Sequence, residues 1–388
     1  MLDNYYYPND KVKIWSKSYM LLTLCGFFFY LSTYLFLSVN TLYLVQDVGL
    51  SFHSASLLMC SFIVGLFLTG IFNSYLIDAY KRKSVCQLSI ILFIVTTFGF
   101  LYMTNITLWY ILRVIQGIAF SLVIITTNST LVIDVTPSHH RTEANTSFLW
   151  ISRIGMLVGL AAAPLLYNMF SYIQLIYIVM GLSTLSLILT FPVNVYFHAP
   201  LDSPICSLDR FMLPRTFVPV INVMTIAFVL GTIIGYTTDY LFYLFLIVGF
   251  LIGYMLIKIK LNTISLRLGF EVGGILMLIG LLMIISTLHL SIYFYYFSVI
   301  LLGLGLSISL TYILYHFVGL AHHCERGTAN NTYVLFGELS ILLGYLFENS
   351  WTSEGSERIC YIDMLVVLCS LIFFELITRN YYNRQAFR

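Results

Sequence analysis

Long apolar stretches, separated by short polar or Gly/Pro-containing breaks, run the length of the chain. Stretches of roughly 20 residues have the length that a helix needs to cross a hydrocarbon core of about 30 Å. Backbone polar groups in lipid must be satisfied within each segment, so every stretch is predicted to be helical. The pattern predicts twelve such helices, near residues 18–44, 53–77, 84–103, 107–133, 143–170, 173–197, 217–236, 240–258, 266–288, 291–318, 328–347 and 360–378.

Composition agrees with a membrane location. Of the 388 residues, 60% are hydrophobic and only 9% are charged, against about 25% charged in ordinary soluble domains. The first apolar stretch is too long for a signal peptide, and no small-residue cleavage pattern follows it, so the first helix is expected to be retained. The chain is therefore predicted to be an all-α integral membrane protein.

An internal repeat divides the sequence into two similar parts. Residues 141–145 (RTEAN) return as residues 326–330 (RGTAN), and His139 lies close to the corresponding position of His322 and His323. At the same offset, Gly159 matches Gly344 and Arg153 matches Glu338. Paired bundles of this kind are typical of secondary transporters, which bind their ligand between the halves. The prediction is two pseudo-symmetric six-helix bundles, residues 1–197 and 217–388, joined by a linker at 198–216.

The positions of Lys and Arg predict the orientation, because cytoplasmic loops carry an excess of them. With the amino terminus inside, only Arg358 of the 19 Lys and Arg residues falls outside, while Arg113 and Arg153 lie within helices. Both termini and the linker are thus predicted to be cytoplasmic, in a multi-pass protein of the cytoplasmic (inner) membrane. The linker is too short for a soluble catalytic domain, and the chain has no P-loop pattern for ATP hydrolysis.

Several short motifs resemble those of the major facilitator superfamily. Residues 74–83 (SYLIDAYKRK) resemble its signature loop, G-x-L-a-D-r-x-G-r-k, with Ser74 and Lys81 in place of the glycines. Residues 113–117 (RVIQG) resemble its R-x-x-x-G pattern, and residues 134–141 (DVTPSHHR) resemble its acid, proline and arginine grouping. The resemblance implies the twelve-helix fold of this family and transport by alternating access.

The resemblance also implies a cytoplasmic gate. An acid at the carboxyl end of a helix opposes the helix macrodipole, so Asp78 is expected to contact a cation or a helix amino terminus. For the basic cluster after Asp78, positive-inside anchoring alone is the alternative. The predicted gate residues are Asp78, Arg82, Lys83, Asp134, Arg141 and Arg326.

The fifth predicted helix carries Gly155, Gly159, Ala163 and Pro164. Their spacing resembles the family's antiporter signature, G-x-x-x-G-x-x-x-G-P, which is associated with the drug and metabolite exporter branch, with Ala163 in place of the last glycine. Small residues every four positions also allow close helix packing in lipid. Both interpretations can hold together.

Arg153 and Glu338 are predicted to lie at the same depth. Each follows its repeat arginine by twelve residues, about 18 Å along a helix, which is near the bilayer midplane, where transporters place substrate and coupling-ion sites. Together with Arg113, they are the proton-coupling candidates. The alternative is that each charge pairs inside its own half and only locks helices together, and structural anchoring is likewise the alternative for Arg113.

Five polar residues are candidates for the substrate cavity on helix membership alone: Asn128, Asn222, Tyr312, His316 and Tyr333. The favoured function is proton-coupled efflux of a small amphipathic or aromatic molecule by a monomer in the lipid bilayer, without nucleic acid, metal or other cofactor and without enzymatic activity. Proton-coupled uptake of a nutrient is the main alternative, and a channel, a passive facilitator or a receptor stays open. A histidine-ligated metal enzyme is a remote alternative, because imidazole suits iron but the eight histidines form no H-x-x-x-H or H-x-x-H-H box.

Overall fold

The computed structural model describes residues 15–102, 105–137, 140–195, 200–201, 204–260, 265–286, 292–351 and 357–386. His139 of the sequence repeat lies outside the described residues, as do residues 198, 199, 202 and 203 of the predicted linker. The described part of the chain is helical and contains no strand.

Within these described ranges, eleven helices have the length and apolar composition to cross a membrane, and a twelfth, more polar helix of 26 residues lies between the last two of them. In chain order they are α1 (Lys17–Gln46), α2 (Phe52–Ala79), α3 (Arg82–Gly99), α4 (Ile106–Asp134), α5 (Arg141–Met169), α6 (Tyr172–Thr190), α7 (Pro214–Tyr236), α8 (Tyr240–Ile259), α9 (Leu266–Ser286), α10 (Ile292–Leu320), α11 (Arg326–Trp351) and α12 (Arg358–Gln385). The predicted twelve-helix fold is confirmed.

Polar side chains fix several of the helix starts. Ser16 caps α1 by accepting a hydrogen bond from the Tyr19 backbone N–H, Asn105 caps α4 in the same way, and Ser171 begins α6 with a capping box. Each cap satisfies a backbone donor that the first helical turn leaves unpaired.

The sixth helix ends earlier than predicted, at Thr190 rather than near residue 197. The physical reason is Pro192, which has no backbone N–H to donate to the next helical hydrogen bond. The next spanning helix begins at Pro214, a position where a missing N–H costs nothing. The connection between α6 and α7 is therefore longer than the predicted linker.

Helix packing repeats between α1–α6, the N-terminal half, and α7–α12, the C-terminal half. In the first half α1 packs on α5 and α6, and α4 packs on α2 and α3; in the second, α7 packs on α11 and α12, and α10 packs on α8 and α9. Between the halves α5 packs on α8 and α2 packs on α11, which are again equivalent pairs. The contacts thus follow the pseudo-symmetry that the sequence repeat predicts.

Glycines bring helices of each half into backbone contact. A Cβ on Gly159 of α5 would lie 2.5 Å from the Leu31 carbonyl oxygen of α1, and one on Gly155 would lie 2.3 Å from that of Phe27. The repeat partner Gly344 stands in the same relation to α7, where a Cβ would lie 2.3 Å from the Phe228 carbonyl oxygen. Ala163 is fully buried. The small residues of α5 therefore pack inside one half, as the close-packing interpretation expects.

We expect Gly159→Leu to destabilise the protein by about 1–3 kcal/mol, because the added side chain must push α1 and α5 apart. Thermal unfolding of the purified protein in detergent measures the change. Gly181→Leu on α6 is the matched control, since a Cβ there has nothing within 4 Å. Equal melting temperatures for the two variants would contradict this account of the contact.

Candidate functional site

A buried ion pair joins the two halves within the membrane-spanning region. Arg153 Nη1 of α5 lies 2.6 Å from Glu338 Oε1 of α11, and the side chains are only 12% and 1% exposed. The other carboxylate oxygen, Oε2, accepts a hydrogen bond of 2.5 Å from the Tyr34 hydroxyl of α1. Both carboxylate oxygens are therefore engaged by the N-terminal half.

Aromatic side chains surround this pair. The Arg153 guanidinium lies over the ring of Tyr30, 5.8 Å from its centroid, a distance at which a cation is attracted by the ring face. Arg153 also borders a cavity of about 20 Å³ together with Trp150, Phe250 and Tyr333. A space of that size holds about one water molecule, so the two halves are closed around the pair.

Further contacts join the halves on the side away from the linker. The Tyr345 hydroxyl of α11 donates to Thr41 Oγ1 of α1 at 2.7 Å, and the Cys60 thiol of α2 contacts the Leu342 carbonyl oxygen at 3.2 Å. Nearer the linker, Ser147 of α5 and the Tyr254 hydroxyl of α8 are 2.9 Å apart. The contacts between the halves thus extend well beyond the ion pair.

The opposite ends of the helices carry a charged network. We call this face the linker side, because residues 204–213 lie on it. Arg82 at the start of α3 binds both oxygens of Asp134 at 2.9 and 2.8 Å, and its other terminal nitrogen lies 3.2 Å from Asp78. Asp78 also accepts a bond of 2.9 Å from Arg210 Nε. The acid at the end of α2 therefore contacts two cations, one of them in the linker.

The linker is bound to both halves next to this network. The backbone N–H of Arg210 donates to Thr328 Oγ1 of α11 at 3.1 Å, and Asn331 Nδ2 donates to the carbonyl oxygens of Arg210 and Phe211. The Phe211 ring fills the space where Gly70 of α2 has no Cβ. Arg210 has φ of 57°, a left-handed conformation that is uncommon for a residue other than glycine. These contacts hold that conformation in place.

The remaining predicted gate residues separate into two kinds. Lys83 Nζ donates to the carbonyl oxygens of Phe191 and Val193 at 2.6 and 3.0 Å, so it caps the end of α6 inside the N-terminal half. Arg141 and Arg326, in contrast, line a cavity of about 300 Å³ between the halves on the linker side.

Arg113 is fully buried in the N-terminal half, away from the carboxylates of the site. Its Nε and Nη2 donate to the Met59 carbonyl oxygen of α2 at 3.2 and 3.0 Å, and Nη1 donates to Gln116 at 2.8 Å. Its guanidinium lies 4.7 Å from the ring centroid of Phe62. The contacts with Met59 and Phe62 join α2 to α4, as expected if Arg113 anchors these two helices to each other.

Three of the five cavity candidates pack inside the C-terminal half instead of facing the other half. Asn222 of α7 donates to the Ser370 carbonyl oxygen of α12 at 2.8 Å, and the His316 ring contacts the rings of Phe374 and Tyr382. The ring of Tyr312 packs over Gly269 of α9. Helix membership does not say which face a residue occupies, and these three face neighbours in their own half.

The other two cavity candidates lie closer to the contact between the halves. Tyr333 borders the small cavity at Arg153 and donates to the Leu310 carbonyl oxygen at 3.0 Å. Asn128 is 1% exposed, and neither of its side-chain amide atoms has a hydrogen-bond partner among the described residues. It lies in a π-helical turn of α4, Thr127–Leu131, and such turns are frequent at functional sites.

The family model of the Major Facilitator Superfamily matches residues 22–345. The chain belongs to this superfamily. Among solved structures, the crystal structure of the human organic anion transporter MFSD10 (TETRAN) is similar, with a TM-score of 0.68, 11% sequence identity, and coverage of 92% of this chain and 98% of that chain. A search of curated protein sequences finds no match.

Superfamily membership makes this protein a multi-pass membrane transporter rather than an enzyme. Membership of a transporter family therefore excludes the alternative that the eight histidines belong to a metal enzyme. At 11% identity the likeness to the human protein concerns the fold alone.

Sequence reasoning missed Tyr34, Tyr30 and Arg210. The two tyrosines lie on α1, where no repeat motif marks them among the 29 tyrosines of the chain. Arg210 could have been predicted, because it is a basic residue of the linker and Asp78 at the end of α2 is expected to contact a cation. By sequence alone, the linker is only a connection between the halves.

We expect Asp78→Asn to loosen the linker, because the neutral amide loses its charge-assisted bonds to Arg82 and Arg210, worth about 1.5–3 kcal/mol each. Hydrogen–deuterium exchange should show residues 204–213 exchanging about tenfold faster. Glu271→Gln, which removes an exposed ion pair to Arg267 within the C-terminal half, is the control. Unchanged exchange in Asp78→Asn would contradict the proposed role of Asp78 in holding the linker.

Proposed function

We propose that the protein is a proton-coupled secondary transporter that works by alternating access and exports a small amphipathic or aromatic molecule. The observation that carries the proposal is the contact between Arg153 and Glu338, 2.6 Å across the two halves. In this proposal Glu338 is the proton carrier, and the linker side faces the cytoplasm, as the distribution of Lys and Arg favours.

The cost of burying charge supplies the physical coupling. An ionised carboxylate in an apolar interior is tolerated only with a partner, and breaking a buried pair by removing one partner costs about 3–5 kcal/mol. Separation of the halves at this depth would leave both charges unpaired. A proton on Glu338 removes one of those charges, so it lowers the energy required for the halves to separate.

Exchange follows if substrate and proton are alternative ways to break the pair. An aromatic substrate inserted between the halves would meet Tyr30 and Tyr333 beside Arg153, while a proton would act on Glu338 directly. When neither is bound, the ion pair keeps the halves together. Each change of conformation then requires one of the two ligands, which is the condition for antiport.

The first test replaces Glu338 by Gln, which mimics the protonated acid permanently. We expect Glu338→Gln in proteoliposomes to bind substrate with the lower affinity of the protonated state and to exchange it down its own gradient, but to lose transport driven by a pH gradient. Glu375→Gln, at a half-buried ion pair with Arg379 within the C-terminal half, is the matched control and should keep pH-driven transport. Intact pH-driven transport in Glu338→Gln would assign Glu338 a structural role only.

Proton-coupled uptake is the second candidate, and the same ion pair favours it for one class of substrate. If the substrate is an anion, protonation of Glu338 would release Arg153 to bind it, so proton and substrate would bind together. The human structure is described as an organic anion transporter, which adds this class to the substrates worth testing.

The pH dependence of binding separates the two candidates. Thermal unfolding with a panel of aromatic amines and aromatic carboxylates, at acidic and at neutral pH, measures ligand binding through stabilisation of the folded protein. Antiport predicts that acidification weakens binding, whereas uptake with a proton predicts that acidification strengthens it. In either case Glu338→Gln should abolish the pH dependence; if the variant keeps it, another group is responsible.

A further inference from the structure

The linker-side cavity is built by both copies of the sequence repeat. Arg141 and Asn145 line it from the start of α5, and Arg326 and Asn330 line it from the start of α11. These are the first and last residues of RTEAN and RGTAN. Two equivalent pairs of side chains from different halves therefore face one space of about 300 Å³.

Polar atoms of all four residues lack partners within the described part of the chain. Asn145 and Asn330 are 4% and 2% exposed, and the Oδ1 atom of each has no hydrogen bond. The Nε atoms of Arg141 and Arg326 are also buried without a partner. Buried polar groups in folded proteins are normally paired, so this cavity has unused binding capacity for a polar ligand.

The charges around the cavity favour an anion. Arg82 and Arg210 also line it, but Asp78 and Asp134 already bind them. The remaining acid in the lining, Asp209, is exposed to solvent and accepts the backbone N–H of Arg210. Among the described residues, no acid forms an ion pair with Arg141 or Arg326, so these two arginines supply the positive charge of the cavity that is not neutralised.

The backbone adds to this preference. Helices α5 and α11 both begin at the cavity, and the amino-terminal end of a helix carries N–H groups and partial positive charge that attract anions. The described N-cap residue of α5, His140, makes no side-chain capping hydrogen bond. At α11, Gly327 lies so close to α4 that a Cβ would be 2.8 Å from the Ser129 carbonyl oxygen, which closes the cavity on that side.

We propose that the linker-side cavity binds a phosphate group, which bridges Arg141 of the N-terminal half and Arg326 of the C-terminal half. Arginine suits phosphate oxygens because its planar guanidinium can donate two parallel hydrogen bonds. A hydroxyl group, either of protonated phosphate or of the alcohol that the phosphate esterifies, can in turn donate to the unpaired Asn145 and Asn330 amide oxygens. The site is separate from Arg153 and Glu338, about 18 Å further along the same two helices.

Inorganic phosphate is the first probe. The full chain, purified in a neutral detergent, is titrated with sodium phosphate at constant ionic strength, and thermal unfolding is followed. Phosphate should raise the melting temperature of the wild type, because a ligand that binds only the folded state stabilises it. Arg141→Gln and Arg326→Gln should each weaken the apparent affinity about tenfold, the expected effect of losing a charge-assisted hydrogen bond.

Control variants separate binding from general charge and folding effects. Arg379→Gln removes a cation near the end of α12, outside the cavity, and should keep the wild-type response. Arg141→Lys should recover part of the response, since it keeps the charge but not the planar geometry. Each variant is compared with its own melting temperature without phosphate, so that a less stable fold is not taken for lost binding.

The source of the phosphate group is tested in a second arm. The same variants are placed in nanodiscs with and without phosphatidylglycerol. Stabilisation by this lipid that depends on Arg141 and Arg326, without an effect of inorganic phosphate, identifies a lipid headgroup as the ligand. If neither probe stabilises the protein, or if Arg379→Gln loses the effect equally, the proposal is overturned.

Discussion

The structure depends first on the cost of placing charge in a membrane. Arg153 and Glu338 are tolerable inside the helical bundle because each is the other's counter-ion, and Tyr34 engages the second carboxylate oxygen. Since the two partners belong to different halves, their charges neutralise each other only while the halves are closed on each other. A pair of this strength inside one half would only make that half more stable. Between the halves, it makes their separation depend on whatever removes one of the charges.

That dependence requires halves that move as units. The contacts of Gly159 with α1 and of Gly344 with α7 bring backbones together at distances that leave no room for a Cβ. Close packing of this kind gives little scope for sliding, because dense interiors resist small deformations. Arg113 strengthens the N-terminal half by joining α2 to α4 with two hydrogen bonds to the Met59 carbonyl oxygen. The less tightly built surface is the one between the halves, where polar side chains and the larger of the two cavities described above are found.

The sequence predicted the helices well because apolar length alone determines a membrane span. It predicted the depth of Arg153 and Glu338 through the repeat, since equal spacing from two equivalent arginines places both at one level. It could not predict that they meet, which depends on helix rotation and on how the halves are apposed. Helix rotation is also why the prediction for three cavity candidates does not match the structure. Asn222, His316 and Tyr312 lie on α7 and α10, but their side chains face α9 or α12. Tyr34 had no periodic or repeated signal, so only the three-dimensional arrangement identifies it.

The two polar centres between the halves are mechanically connected, because α5 and α11 supply both of them. Arg141 and Arg153 lie on one helix, and Arg326 and Glu338 lie on the other. A rotation that separates the halves on the linker side therefore breaks the phosphate bridge that we propose between Arg141 and Arg326, and it also changes the distance between Arg153 and Glu338. A ligand that holds the linker side closed must then alter the affinity of the central site for its own ligands. By linkage, occupancy of the central site must alter the affinity for that ligand by the same factor. The repeat thus supplies the helices of both proposed sites, so that their ligands would act on one conformational equilibrium.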